Sequence, residues 1–185
     1  MNTRKTPFRN SLGFTLIELM LVLAIILLLT VAAFIIYPRV KANNAARQDI
    51  AQLTSITSEI QTTFSRKSLR YANISTVNLS KMGIVDTSSS PMPSIVLLKS
   101  ENAQVSFSPL WGGRGYIMDV RGVPSKVCPR FLTELEQQFD TIYIGMYGPQ
   151  KSAGNPLTPD EIMTGCDDHT NAGYNGNVIS FWKLG

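Results

Sequence analysis

Phe14-Thr15-Leu16-Ile17-Glu18-Leu19-Met20-Leu21-Val22-Leu23-Ala24-Ile25 opens an apolar run that continues to Tyr37. Those 24 residues carry a single charge, Glu18. As a helix they span about 36 Å at about 1.5 Å per residue, enough to cross a hydrocarbon core of about 30 Å. A carboxylate inside such a segment costs about 2.5–3.5 kcal/mol at the bilayer centre, so it calls for a compensating group. The alternative role is simpler: an acid in the first turn sits well against the positive end of a helix.

On the N-terminal side, the first 13 residues carry Arg4, Lys5 and Arg9 and no acid, as the start of a secretory signal does. A secretory signal continues with a short apolar region and a small-residue cleavage site. Here the apolar region is far longer and leads into Tyr37-Pro38-Arg39-Val40-Lys41. Gly13 lies before the run, so a cut after it leaves the helix on the mature chain. An uncleaved signal anchor is the alternative. Cations flank both sides of the run (Arg39, Lys41 and Arg47 beyond it), so charge bias does not set orientation. The two cysteines, Cys128 and Cys166, both lie downstream. A matched pair is compatible with one disulfide in an oxidising compartment, which puts the C-terminal domain outside the cytoplasm. Two unpaired thiols are the other possibility.

On the C-terminal side, Ala46, Ile50, Leu53, Ile56, Ile60 and Phe64 recur at spacings of three and four, the pattern of an amphipathic helix. Its polar face holds Asn43, Arg47, Gln48, Asp49, Gln52, Ser55 and Glu59. We read one helix from about Phe14 to about Phe64, bent near Pro38. Residues 67–93 form a connector without sustained period. Strands are predicted at Ser94–Leu98, Ala103–Ser108 with Val105 and Phe107 on one face, Gly115–Val120 after the turn at Trp111-Gly112-Gly113, Thr141–Tyr147 and Asn177–Trp182. A second helix is predicted from Ser125 as N-cap with Pro129 in its first turn. It carries the stripe Cys128, Phe131, Leu132, Leu135 and Phe139. Residues 148–177 read as loop. Tyr143 and Trp182 read as core, since strand aromatics usually are. The class is α+β, an antiparallel sheet packed on the long helix.

Gly13-Phe14-Thr15-Leu16-Ile17-Glu18-Leu19-Met20 followed by an unbroken apolar helix resembles the type IV prepilin signature. The resemblance implies that a membrane peptidase cuts after Gly13 and that the new amino terminus, on Phe14, is methylated. It makes Glu18 the acidic residue of filament assembly. Physically, the cut exposes an α-amine with an ordinary pKa of about 7.7–8.0, one helical turn from Glu18. In a bundle of such helices, Glu18 of one subunit has the Phe14 amine of a neighbour as its natural partner, a contact that sets axial register. The head also resembles that of the type IVb pilins. The order is a strand at Gly115-Tyr116-Ile117-Met118-Asp119-Val120, a turn at Arg121-Gly122-Val123, a helix bearing Cys128, and a strand at Tyr143-Ile144. That resemblance implies a Cys128–Cys166 bridge closing a C-terminal loop. Phe14 itself is closer to type IVa usage, and Ile25–Leu29 lacks the glycine and proline common there.

The resemblance implies a type IV pilin fold with three parts. Residues 1–13 are a cleaved leader, residues 14–37 a transmembrane and filament-core helix, and residues 38–185 a head exposed outside the inner membrane. Implied partners are a prepilin peptidase, identical or homologous pilin subunits, the inner-membrane pilus assembly machinery and the membrane. The product is an extracellular filament. A minor pilin, a secretion pseudopilin, or a signal-anchored periplasmic binding module that never polymerises are the competing readings.

Other chemistries find little support. The formal charge of +4 falls to +1 without the three leader cations, and the remaining charge is scattered, so nucleic acid is an unlikely direct ligand. The one cluster, Arg66, Lys67 and Arg70, falls at a helix end, where cations are favoured anyway. His169 is the only histidine, too few for a zinc site, and no metal or other cofactor is expected. A Cys166–His169 catalytic pair is three residues apart in a polar loop, and we expect no enzyme. The run Asp167-Asp168-His169-Thr170-Asn171 could bind calcium through oxygens but lacks EF-hand spacing.

Overall fold

The computed structural model describes residues 15–64, 71–100, 103–145, 150–152, 155–167 and 177–185. Gly13 and Phe14, the Arg66/Lys67/Arg70 cluster and residues 168–176, with most of the calcium candidate, lie outside them. The chain divides into two compact units between Val40 and Lys41.

Helix α1 runs from Leu16 to Phe64, 49 residues, and Pro38 lies inside it without ending it. Through Val40 its side chains are exposed all round. From Ala46 on it buries Ala46, Ile50, Leu53, Ile56 and Ile60, as the spacing predicts; Phe64 packs against the same core, partly buried.

The second unit continues with α2 (Thr76–Lys81), β1 (Val96–Leu97), β2 (Gln104–Leu110), β3 (Gly115–Val123), α3 (Cys128–Leu135), β4 (Thr141–Ile144), β5 (Gln150–Lys151), α4 (Pro159–Gly165) and β6 (Asn177–Leu184). The six strands form one antiparallel sheet in the order β1-β2-β3-β6-β4-β5. C-terminal strand β6 therefore sits in the middle, between β3 and β4. Period-two alternation turns Val105, Phe107, Tyr116, Met118, Val120, Ile142, Ile144, Ile179 and Phe181 into one core with the α1 stripe and with Phe131, Leu132 and Leu135 of α3.

That alternation corrects one expectation. With Ile142, Ile144 and Phe181 facing the core, Tyr143 and Trp182 must face the other way. They are half-buried and pack on each other, ring centroids 4.6 Å apart, with exposed Trp111 edge-on to Trp182 at 6.0 Å. The Trp111-Gly112-Gly113 turn is as predicted, with all three residues at positive φ. Gly113 is obligatory there, because a Cβ would lie 2.5 Å from the Ala72 backbone nitrogen.

Pattern alone misplaces some polar groups. Asp49, expected on the solvent face of α1, is fully buried. Its carboxylate accepts the Lys99 N–H at 2.7 Å, the Ser100 N–H at 2.7 Å and the Ser100 hydroxyl at 2.5 Å. It thereby fixes the turn after β1 onto the helix. Ser125 does not cap α3; Val127 is the N-cap and supplies no side-chain bond, although Pro129 does fall in the first turn. Thr57 of α1 and Tyr116 of β3 are both buried, and their hydroxyls close no hydrogen bond with the described residues.

Beyond β2 the sheet continues only as the two-residue β1, and edge chemistry closes the rest of that side. Residues 103, 105, 107 and 109 turn their backbone groups away from β3. The first two meet β1, with Leu98 N–H donating to the Ala103 carbonyl. The Phe107 N–H donates to Thr76 Oγ1 of α2 at 2.9 Å, and Pro109 has no N–H to offer. A short strand, a helix hydroxyl and a proline together leave little template for strand addition.

Two outcomes are expected. Asp49→Ala strands three donors and should lower stability by roughly 2–4 kcal/mol in denaturant unfolding of the full chain in detergent. Burial pushes the Tyr116 hydroxyl well above its ordinary value of 10.0, so the fold holds it neutral while the unfolded chain ionises it. Stability is therefore fully present below about pH 10 and falls as pH rises above that. Tyr116→Phe should leave stability at pH 7 unchanged or raised, and weaken the alkaline loss.

Candidate assembly surface

Thr15 immediately precedes α1 and Glu18 lies in its first turn. The Glu18 N–H donates to the Thr15 carbonyl at 3.1 Å and approaches Thr15 Oγ1 at 3.4 Å. Thr15-x-x-Glu18 is thus placed as a capping pair is, with a hydroxyl for an orphan N–H and an acid near the positive helix end. Thr15 is a functional candidate that apolar patterning misses and that the S/T-x-x-E spacing marks. From Leu16 to Val40 the helix presents Leu, Ile, Val, Met and Phe on all sides, and none of them is covered. Among the described residues Glu18 is the only charged side chain before Arg39. Among the described residues this is the one helix long and apolar enough to cross a membrane. Thr30 keeps its hydroxyl satisfied locally, donating to the Ile26 carbonyl at 2.7 Å.

The second unit offers closure in place of reactive chemistry. Cys128 at the start of α3 and Cys166 at the end of α4 are bonded, with Cα atoms 5.6 Å apart, and both are buried. This excludes Cys166 as a free thiol nucleophile. Residues 148–177 are not all loop, as their composition predicts; they contain β5 and α4. Helix α4 has a full capping box. Thr158 Oγ1 accepts the Glu161 N–H at 3.3 Å, and the Glu161 carboxylate accepts the Thr158 N–H at 2.7 Å. Those Thr158 donors hold the exposed Glu161 carboxyl below its ordinary 4.5. The helix packs by Ile162 and by Gly165, whose missing Cβ would come within 2.9 Å of Ile144 Cδ1. Glu136 accepts the Leu157 N–H at 2.8 Å, and Lys151 Nζ donates to the Glu136 and Phe139 carbonyls. No group of three or more His, Cys, Asp or Glu side chains suited to a metal occurs among the described residues.

Comparison with known proteins fits these two halves. The bundlin family profile matches residues 40–184. The chain belongs to the bundlin family, a group of type IVb pilins. A second profile, the prokaryotic N-terminal methylation motif, matches residues 8–34, a span that holds Gly13, Phe14 and Glu18. Bundlins are structural subunits, not enzymes. No curated protein sequence matches this bundlin-family chain. Among solved structures, the type IVb pilin from Salmonella typhi is similar at a TM-score of 0.54 and 15% identity, over 75% of this chain and 99% of that one. At that identity the likeness is one of fold: long helix, antiparallel sheet and type IV pilin architecture. The methylation motif and the apolar helix suit a membrane-anchored precursor.

Opening the bridge has a calculable effect. With the cysteines separated by 38 positions, the chain-entropy model assigns the bridge about 4 kcal/mol. Cys128→Ser/Cys166→Ser should lose about that much in urea unfolding at neutral pH, against an oxidised control.

Proposed function

We propose that this bundlin-family chain is the precursor of a type IV pilus subunit. Prepilin peptidase removes residues 1–13 after Gly13, and the Phe14 amine is methylated. Residues 14–37 hold the subunit in the inner membrane and then form the filament core. Residues 38–185 are the head, outside the cytoplasm and finally on an extracellular filament. The inner-membrane assembly machinery carries out the transfer between the two settings.

The observation that carries this reading is the uncovered apolar helix with one carboxylate in its first turn, inside a methylation-motif match. Stripped of lipid, that surface has one stable fate, burial against copies of itself. In such a dry bundle Glu18 must be paired. The free α-amine of a neighbouring Phe14 supplies the cation and the hydrogen bonds. Methylation keeps the amine basic. Passed head-to-tail from residue 18 of one copy to residue 14 of the next without closing, the contact generates a helical filament.

Mass analysis of the mature protein should give a chain starting at N-methylated Phe14. Sheared surface fibres should contain it as their main protein. Glu18→Gln should leave processing intact while removing fibres; normal fibres from that variant would end the pairing mechanism. A mature chain that retains Met1 would end the pilin reading itself. A correctly processed chain present only in trace amounts within fibres would make it a minor or priming subunit.

A further inference from the structure

One buried carboxamide ties together the backbone that carries both cysteines. Asn177, the first residue of β6, is 2% exposed. It faces inward by the same alternation that buries Ile179 and Phe181, and across from it the β3–β6 register shifts between Val120 and Val123, where Gly122 takes φ +74°. That shift sets Val123 opposite Asn177, as a glycine bulge does. From there Asn177 Nδ2 reaches the Cys166 carbonyl at 3.1 Å, Ser125 Oγ at 3.3 Å and the Val123 carbonyl at 3.4 Å. Two N–H bonds serve three acceptors, so one is shared. Ser125 belongs to the turn that delivers Cys128: the Pro124 carbonyl accepts both Val127 and Cys128 N–H at 3.0 Å. Cys166 is the C-cap of α4, its own N–H donating to the Ile162 carbonyl at 3.0 Å. Asn177 therefore holds one cysteine's carbonyl directly and the other cysteine's lead-in turn through a hydroxyl.

We propose that Asn177 is the positioning residue for disulfide formation, bringing the Cys128 and Cys166 thiols together before they are oxidised. Sequence separation alone leaves the pair 38 residues apart. The fork replaces a diffusive search by a preset encounter. The step itself is ordinary exchange: the two thiols give up two protons and two electrons to one glutathione disulfide, which leaves as two thiols. The role of Asn177 is to raise the effective concentration of one thiol at the other, and so to lower the reduction potential of the bond. Asn177→Asp keeps the shape but turns the donor into an acceptor facing two carbonyls. Asn177→Leu keeps the volume and removes the bonds.

The full chain in detergent, equilibrated in glutathione buffers of graded ratio and quenched for thiol counting, gives the midpoint. Both Asn177 variants should lose at least tenfold in effective thiol concentration, a shift of about 30 mV toward easier reduction. Ser125→Ala, which removes one acceptor and leaves the carboxamide, should shift the same way by two- to threefold. Ile56→Val, a core truncation on α1, should unfold more easily yet leave the midpoint unmoved. A wild-type midpoint in the Asn177 variants overturns the proposal. So does an equal shift in Ile56→Val, which would make the effect one of general stability. Should the Asn177 variants fail to fold, an unmoved midpoint in Ser125→Ala overturns it alone.

Discussion

A helix that is apolar on every side is stable only where water is excluded, and everything from Leu16 to Val40 obeys that constraint. No side chain in that stretch is covered by the described residues of its own chain. The covering has to come from lipid or from other chains, and the single acid in the first turn limits which arrangements are tolerable. Ordinary amphipathic helices settle the matter with one polar face. Here the charges, Glu18 and Arg39, lie near the two ends, so position along the helix axis carries the specificity.

The second unit obeys a different constraint. Around one large apolar core, buried and half-buried polar groups fasten loops and strand edges. Asp49 pins the turn after β1 to α1. Thr76 occupies an edge donor of β2. Glu136, Lys151 and the Cys128–Cys166 bond hold the segment that precedes β6. The polar fasteners share a form: each commits a side chain to backbone groups of a loop or strand edge. A satisfied backbone donor is worth more inside the protein than on its surface, because no water replaces a lost partner.

Much of the fold was legible because hydrophobic period is a local property. The α1 stripe, the inward residues of β2 and the α3 stripe can all be read from spacing. The short helices lack that period, although their caps are written plainly: Ser75, which accepts the Asn78 N–H, and Thr158-x-x-Glu161. A six- or seven-residue helix cannot show two turns of pattern, so capping chemistry is the better signal there. Asp49 is misread from pattern because a carboxylate on a helix is normally solvated. Only the arrival of the Lys99–Ser100 backbone, some fifty residues on, reverses that rule.

The residues alone determined the rod, its lone acid and the family kinship written around Gly13, Phe14 and Glu18, since solvent preference and motif spacing need no tertiary partner. The tertiary structure decided which polar groups are buried, that β6 enters the middle of the sheet, that Tyr143 and Trp182 face away from the core, and that Asn177 meets both the Cys166 carbonyl and the Ser125 hydroxyl. Each of these depends on segments far apart in the chain meeting in one register. No local pattern encodes that, because the energy appears only when both partners are in place.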